Sequence, residues 1–437
     1  MKKQIAIPTP LSLAIYLSFF VIGSATLFTC PEELSFYDYG VQMASTWYDG
    51  LWTLLSFTMQ MVLILVLGHL LALSQFVNRV IFKFIGLFSN ALTATIGVLV
   101  LTLMVALINW GLGLIFGAVL ARKLGEYAYQ KKWAINYPLV GAAAYSGMMI
   151  WHGGLSGSAP LSIAEKGHFL AAQTDVISLS QTVFSLPNIF INVALILSLA
   201  FLVFYISKNK KAELPSFLDD RPEGKVTQSK RSYLFVVLGL FMIGVALARF
   251  IQEWKESGDF SGAINLNFIN FTLMGLCFLL LPNPAEYERK LGEASQSAAS
   301  ILIQFPLYAG IMTVMKSSGM MAQMADFFVD ISNEVTYPIF TLISAAMVNV
   351  LVPSGGGQWA VQGPVIVEAA IQLGVSLPKS VMALAYGDQL SNMIQPFWAL
   401  PLLGITGIKA KQLLPYTFLM MCVGFIIFSL GLLFWTS

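Results

Sequence analysis

Charge is scarce in this 437-residue chain: 11% of its residues are Asp, Glu, Lys or Arg, against 57% hydrophobic. Soluble domains carry roughly 25% charged residues, so a water-soluble globular protein is excluded and a polytopic membrane protein is expected. The net charge of +2 is too small to hold a nucleic acid. Cysteine is scarce too. Cys30, Cys277 and Cys422 stand far apart, with neither metal-ligand spacing nor a disulfide framework. His69, His152 and His168 are the three histidines, and none is paired at i, i+3 or i+4. A zinc enzyme is therefore not expected, and neither a His/Asp cluster nor a Ser–His pairing suggests other catalysis. Lys2 and Lys3 precede an apolar run without a convincing cleavage site, which reads as a first anchor with a cytoplasmic start.

Long apolar runs fill the rest: 11–29, 51–74, 91–121, 134–161, 176–206, 233–252, 262–281, 297–316, 337–367, 379–402 and 414–436. Basic residues between them set the orientation. Arg79 and Lys83 precede the run 91–121, and Arg122, Lys123, Lys131 and Lys132 follow it. Both flanks prefer the cytoplasm, so this run is expected to enter and leave on one face as a re-entrant hairpin. Its tip would be Asn109-Trp-Gly-Leu-Gly113. The segment 208–232, rich in Lys and Arg with Pro215 and Pro222, reads as a cytoplasmic linker between halves. A second hairpin is expected at 337–367, entering from outside, with Asn349-Val-Leu-Val-Pro-Ser-Gly-Gly-Gly-Gln358 at its middle.

The halves superpose weakly. Ala144-Tyr145 matches Ala385-Tyr386 and Pro160-Leu161 matches Pro401-Leu402, both 241 positions apart. With the opposite entry sides of the hairpins, this predicts an inverted-topology repeat. The expected division is 1–207 for the first repeat, 208–232 for the linker, 233–261 for a connecting helix and outer loop, and 262–437 for the inverted repeat. The fold class is all-α, with about nine transmembrane helices plus two re-entrant hairpins.

Polar residues collect where the pattern breaks. Asp388, Ser391, Asn392 and Gln395 sit at i, i+3, i+4 and i+7 inside an apolar run, one face of a helix if it continued. A polar interhelical seam is the structural alternative, but a membrane carboxylate is costly and a seam does not require one. Asp388, Asn349, Ser391 and Asn392 are read as the cation-coupling set. Asn109, Ser156, Ser158, Ser354, Gly355, Gly356, Gly357, Gln358 and Gln395 are read as the substrate set. Broken helices offer unpaired amides and dipole ends to anions, and carbonyl, Asn and Ser oxygens to small cations. The triple glycine is no Walker loop, because no Gly-Lys-Ser/Thr follows. No Arg or Lys lies deep in the runs that build the site, which suits a small monocarboxylate better than a di- or tricarboxylate. Trp110, Trp151, Trp359, Phe397 and Trp398 flank these motifs, as packing or as apolar contacts. His69 and His152 read as packing residues, with proton or substrate contact the alternative.

At these motifs the chain resembles the AtoE-type short-chain fatty acid transporter family. The likeness is carried by Gln304-Phe-Pro-Leu-Tyr-Ala-Gly310, Val352-Pro-Ser-Gly-Gly-Gly-Gln-Trp359, Gln362-Gly-Pro364, Ala385-Tyr-Gly-Asp-Gln389 and Gln395-Pro-Phe-Trp-Ala-Leu-Pro401. Phe57-Thr-Met-Gln-Met61 and Ile108-Asn-Trp-Gly-Leu-Gly113 extend it into the first half. The family pattern can carry Glu at Asp388 and His at Gln358; the carboxylate is kept here, the histidine is not. The resemblance implies membership of the ion-transporter superfamily, homodimers in the bacterial inner membrane, elevator-type movement, and cation-coupled uptake of butyrate- or acetoacetate-like acids. No cofactor is implied beyond a coupling ion, Na+ or H+, and no enzymatic activity. A carrier of another small organic anion is the alternative; an ion channel would more naturally show a pore-lining repeat than two mirrored hairpins.

Overall fold

The computed structural model describes residues 10–209, 231–258, 263–296 and 298–435, so most of the linker expected at 208–232 lies outside the described residues. The regular secondary structure of the described residues is helical. The first half runs α1 (Pro10–Phe28), α2 (Phe36–Gly50), α3 (Leu55–Ala72), α4 (Gln75–Ile85), α5 (Ala91–Ile108), α6 (Trp110–Gln130), α7 (Tyr137–Tyr145), α8 (Ser158–Ile163) and α9 (Leu186–Asn209). Two short 3-10 turns, Ser146–Met149 and Trp151–Gly153, separate α7 from α8. After α10 (Tyr233–Ser257) come α11 (Leu266–Leu280), α12 (Pro284–Gln296), α13 (Ala299–Ser317), α14 (Met320–Ile331), α15 (Tyr337–Leu351), α16 (Gly355–Leu373) and α17 (Leu377–Ser391). A 3-10 turn at Asn392–Ile394 leads to α18 (Pro396–Thr406) and α19 (Ala410–Leu433).

The order repeats. A long helix (α3 or α13) leads to a short amphipathic one (α4 or α14), then an antiparallel pair, a broken helix and a closing long helix (α9 or α19). Packing crosses between the halves: α1 lies on α13 and α11 on α3, while α6 meets α18 and α16 meets α8.

Both antiparallel pairs can be read from specific contacts. Asn109, in extended backbone (φ −154°, ψ 125°), is the single residue between α5 and α6. A Cβ on Gly113 would sit 2.7 Å from the Cα of Ala106, and one on Gly117 would sit 2.8 Å from a Thr102 methyl. The two helices therefore fold back with their backbones nearly touching, which only glycine permits. In the second pair, Gln358 Nε2 donates to Ala345 O (2.8 Å), Gln362 Nε2 to Ser344 Oγ (3.0 Å) and the Tyr337 hydroxyl to Ile366 O (2.7 Å). These side-chain bonds do for α15 and α16 what glycine contact does for α5 and α6.

Among the described residues, five helices are long and apolar enough to cross a membrane, lying within α3, α5, α9, α10 and α19, with a sixth if α12 and α13 form one bent span. The segments at Ala14–Phe28, Leu266–Leu280 and Tyr337–Val350 are apolar but shorter. Fifteen helical residues rise about 22 Å, less than a hydrocarbon core of about 30 Å. The expected runs 134–161 and 379–402 are not single helices, because each breaks midway. The run 176–206 becomes helical only at Leu186; before it, residues 164–185 form an irregular loop. Phe169 in that loop packs on Phe57 of α3 and Trp359 of α16. Glu165 is held by Gln60 Nε2, which lies 3.1 and 3.2 Å from its two oxygens and 3.1 Å from Asn267 Oδ1. Burial raises the Glu165 carboxyl above its usual range, and the Gln60 bond opposes that rise.

Candidate functional site

The two breaks and the two hairpin tips meet. In the first half, the Trp110 amide at the tip donates to Ser156 Oγ in the break (2.9 Å), and Leu155 N donates to Leu107 O (2.7 Å). In the second, Gln395 Nε2 in the break donates to Asn349 O at the tip (2.6 Å). Each half also reaches into the other. The Tyr145 hydroxyl donates to Asn392 O (2.8 Å) in the second break. The Tyr386 hydroxyl donates to Asn188 Oδ1 (2.8 Å), whose Nδ2 donates to Gly153 O (2.9 Å) in the first. The equivalent tyrosines thus anchor each other's irregular segments, satisfying carbonyls that a continuous helix would have paired internally.

This crossing brings the N-termini of α6, α8, α16 and α18 together around a cleft of about 340 Å³. Ser158, Ser354, Gly355 and Gly356 line its polar side. Met61, Met148, Phe305, Trp110, Trp151 and Trp398 line the rest. Ser354 caps α16 by accepting from Gly357 N (3.3 Å). The amides of Gly355 and Gly356 belong to the first turn, where N–H groups have no intrahelical acceptor. The indole N–H of Trp151 is buried without a partner. The cleft therefore pairs converging positive dipole ends and spare donors with an apolar wall.

Behind Trp151 lies the charge. Asp388 Oδ2 is 2.7 Å from His152 Nδ1, and both side chains are almost completely buried. Ala159 N at the start of α8 donates to His152 Nε2 (3.0 Å), and His152 N donates to Gln389 Oε1 (2.9 Å). The Trp151 and His152 rings stack at 4.4 Å and 17°. On the other side of α17, Asn349 Nδ2 lies within hydrogen-bond distance of Asp388 O (2.8 Å), Ser391 Oγ (2.9 Å) and Asn392 Oδ1 (2.8 Å). Asp388 Oδ1, Asn349 Oδ1 and Gln358 Oε1 are buried acceptors without a partner.

The residues expected from sequence fall into three groups, with Gly357 apart from them. Ser158, Ser354, Gly355 and Gly356 line the cleft. Asp388, Asn349, Ser391, Asn392 and Gln395 form the buried polar cluster beside it, with Gln358 bonded to Ala345 O and to Gln362 Oε1. Asn109 and Ser156 are engaged in building the first tip: Asn109 accepts from Leu112 N (2.8 Å) and donates to Ile64 O (3.2 Å). Gly357 faces Tyr308. The i, i+3, i+4, i+7 face is not one helical face, since α17 ends at Ser391 and Gln395 is extended. Asp388 points its carboxylate at His152, while only its carbonyl faces Asn349. Sequence reasoning missed Gln389, Asn188 and the Asp388–His152 pair. A lone histidine beside a Gly-rich break was the available signal for the pair; Asn188 gave none.

Because Asn109 caps α6, Asn109→Ala should destabilise the solubilised protein by about 1 kcal/mol, the usual worth of a helix cap. Asn349→Ala should melt within about the same margin yet impair transport more, since its bonds organise the polar cluster around Asp388. Thermal melts beside uptake assays check both. Equal losses of stability and activity in the two variants would make both tips purely structural.

Comparison with known proteins agrees with this architecture. A family model described as "Short chain fatty acid transporter" matches residues 2–435. The chain is 37% identical over 439 residues to the "Putative short-chain fatty acid transporter" of Escherichia coli K12, covering 98% of this chain and 96% of that one. It is 34% identical over 449 residues to the protein of the same description from Haemophilus influenzae Rd, with the same coverage. Among solved structures, the Alcanivorax borkumensis YdaH transporter superposes with a TM-score of 0.61 at 12% identity, over 98% of both chains. Neisseria gonorrhoeae MtrF, described with a class of antimetabolite efflux pumps, superposes with a TM-score of 0.60 at 14% identity, over 98% of this chain and 95% of that one. At such identities these two share the fold.

Proposed function

Because the chain belongs to the short-chain fatty acid transporter family, we propose that it carries butyrate- or acetoacetate-like monocarboxylates across the cell membrane by cation-coupled uptake. The observation that carries this reading is the cleft. Four helix N-termini and two serine hydroxyls face it, an apolar wall closes it, and its lining holds no lysine or arginine. A single carboxylate fits donors of this kind, and a short alkyl chain fits Met61, Met148, Phe305 and the tryptophans. A second carboxylate would lie against the apolar wall unpaired, at a cost of several kcal/mol.

The chain is a multi-pass membrane protein. In our reading it lies in the bacterial inner membrane with its N-terminus inside, as a homodimer. Residues 1–207 and 262–437 act as inverted repeats around 233–261, and the hairpins move with the broken helices in an elevator-type exchange of access. The crossing of the tyrosine anchors supports this, because it ties both breaks and both tips into one body. The coupling cation is taken up at the polar cluster around Asp388.

Counterflow of labelled butyrate into proteoliposomes preloaded with unlabelled butyrate tests the substrate. Transient accumulation above protein-free liposomes is expected, and its absence for butyrate and acetoacetate alike would sink the reading. Orientation is tested separately. Single cysteines at 208–231 should react with an impermeant reagent only from the cytoplasm, and cysteines at 254–259 only from outside. The reverse pattern would invert both repeats.

A further inference from the structure

The hydrogen bonds around His152 decide which of its ring nitrogens carries the hydrogen. Ala159 N–H donates to His152 Nε2, so that nitrogen carries a lone pair. The ring hydrogen then sits on Nδ1 and donates to Asp388 Oδ2 at 2.7 Å. The imidazole is therefore neutral, and with Asp388 ionised the pair holds one net negative charge almost fully removed from solvent. Among the described residues no cation balances it. α5, α7, α8, α15 and α18 carry no Asp, Glu, Lys, Arg or His, and of the tyrosines facing the site Tyr145 donates to Asn392 O and Tyr386 to Asn188. Glu368 on α16 is ten residues past Gln358, about 15 Å along the helix. Lys379 on α17 is nine residues before Asp388 and bonds Trp435 O. Lys411 on α19 and Lys208 on α9 lie at helix ends. Asp388 Oδ1, meanwhile, has no partner.

We propose that the His152–Asp388 pair is the coupling site and that the ion it takes is a proton, received at Asp388 Oδ1 as one carboxylate enters the cleft. Every bond around His152 survives this step, because Oδ2 still accepts from Nδ1–H and Nε2 still accepts from Ala159. The buried charge disappears, and the partnerless oxygen becomes a donor. The proton comes from the outer solution and leaves to the cytoplasm once the substrate has gone. The link to the cleft is physical: Trp151, which lines it, stacks on His152, and the amide bonded to Nε2 is next to Ser158. An entering anion approaches the negative pair, and a proton at Oδ1 removes the repulsion between them, so proton and substrate favour each other's binding. This inference rests on the monocarboxylate reading and names its coupling ion.

The test uses the full-length protein in detergent, where passive leak of fatty acids plays no part. Butyrate is titrated calorimetrically in sodium-free buffers of differing ionisation enthalpy. We expect uptake of about one proton per butyrate, with Kd rising about tenfold per pH unit above the pair's titration. Asp388→Asn should show no proton uptake and Asp388→Glu should restore it. Binding that is flat with pH and takes up no proton, or that tightens tenfold with NaCl alone, overturns the proposal. Should butyrate and acetoacetate both fail to bind, the proposed function falls; the ring-nitrogen NMR signals of His152 then still decide whether the pair takes a proton. A pH-dependent shift in the wild type that Asp388→Asn removes supports the site. A His152 signal unchanged with pH refutes it.

Discussion

Asp388→Asn is expected to give a folded protein that no longer concentrates substrate against a gradient. The asparagine keeps the shape: its Oδ1 can accept from His152 Nδ1–H, and its Nδ2 can occupy the place of the partnerless oxygen. The main-chain bond from Asn349 to residue 388 is untouched. What goes is a buried charge that no cation among the described residues balances, and such a charge costs stability while it is there. The melting temperature should hold or rise while gradient-driven accumulation in proteoliposomes falls to the level of protein-free controls. Asp388→Glu should retain part of the coupling. If the asparagine variant accumulates substrate like wild type under imposed sodium and proton gradients, Asp388 is only a structural polar group.

Gly355→Ala should weaken substrate binding about five- to a hundredfold. A Cβ on Gly355 would sit 2.7 Å from Trp151 Cη2 and 2.9 Å from His152 Cε1, both parts of rigid rings. Trp151 cannot yield without leaving the stack on His152 or narrowing the cleft it lines. Overpacking of this kind costs about 1–3 kcal/mol, and about 1.4 kcal/mol is a tenfold change in binding. Gly374→Ala is the control for a glycine on the same hairpin: its φ of +68° strains an alanine, but nothing lies near its Cβ. It should lower stability without changing Kd. Wild-type affinity in Gly355→Ala would mean that the second tip stands clear of the substrate.

The family and the places where the helices break could be read in the sequence because both depend on local chemistry. Apolar runs with eleven per cent charge require a bilayer, and glycine with proline inside such runs breaks helices wherever they fold. An Asp with Asn, Ser and Gln in an apolar run has to face something polar, whatever that is. Thus the tips at Asn109 and 352–354 and the breaks after Tyr145 and Ser391 fall where the sequence puts its glycines, prolines and amides. The partners of those residues could not be read. Asp388 and His152 are 236 positions apart, and no periodicity joins residues on different broken helices. The helical face drawn through Gln395 failed for the same reason, since the chain leaves the helix after Ser391 to answer contacts with Asn349 and Tyr145. Only the tertiary structure decides which tip residues build the scaffold, as Asn109 and Ser156 do, and which line the cleft, as Ser158 and Ser354 do. Burial gives each polar group one partner out of many, and that choice is made by packing, not by sequence neighbours.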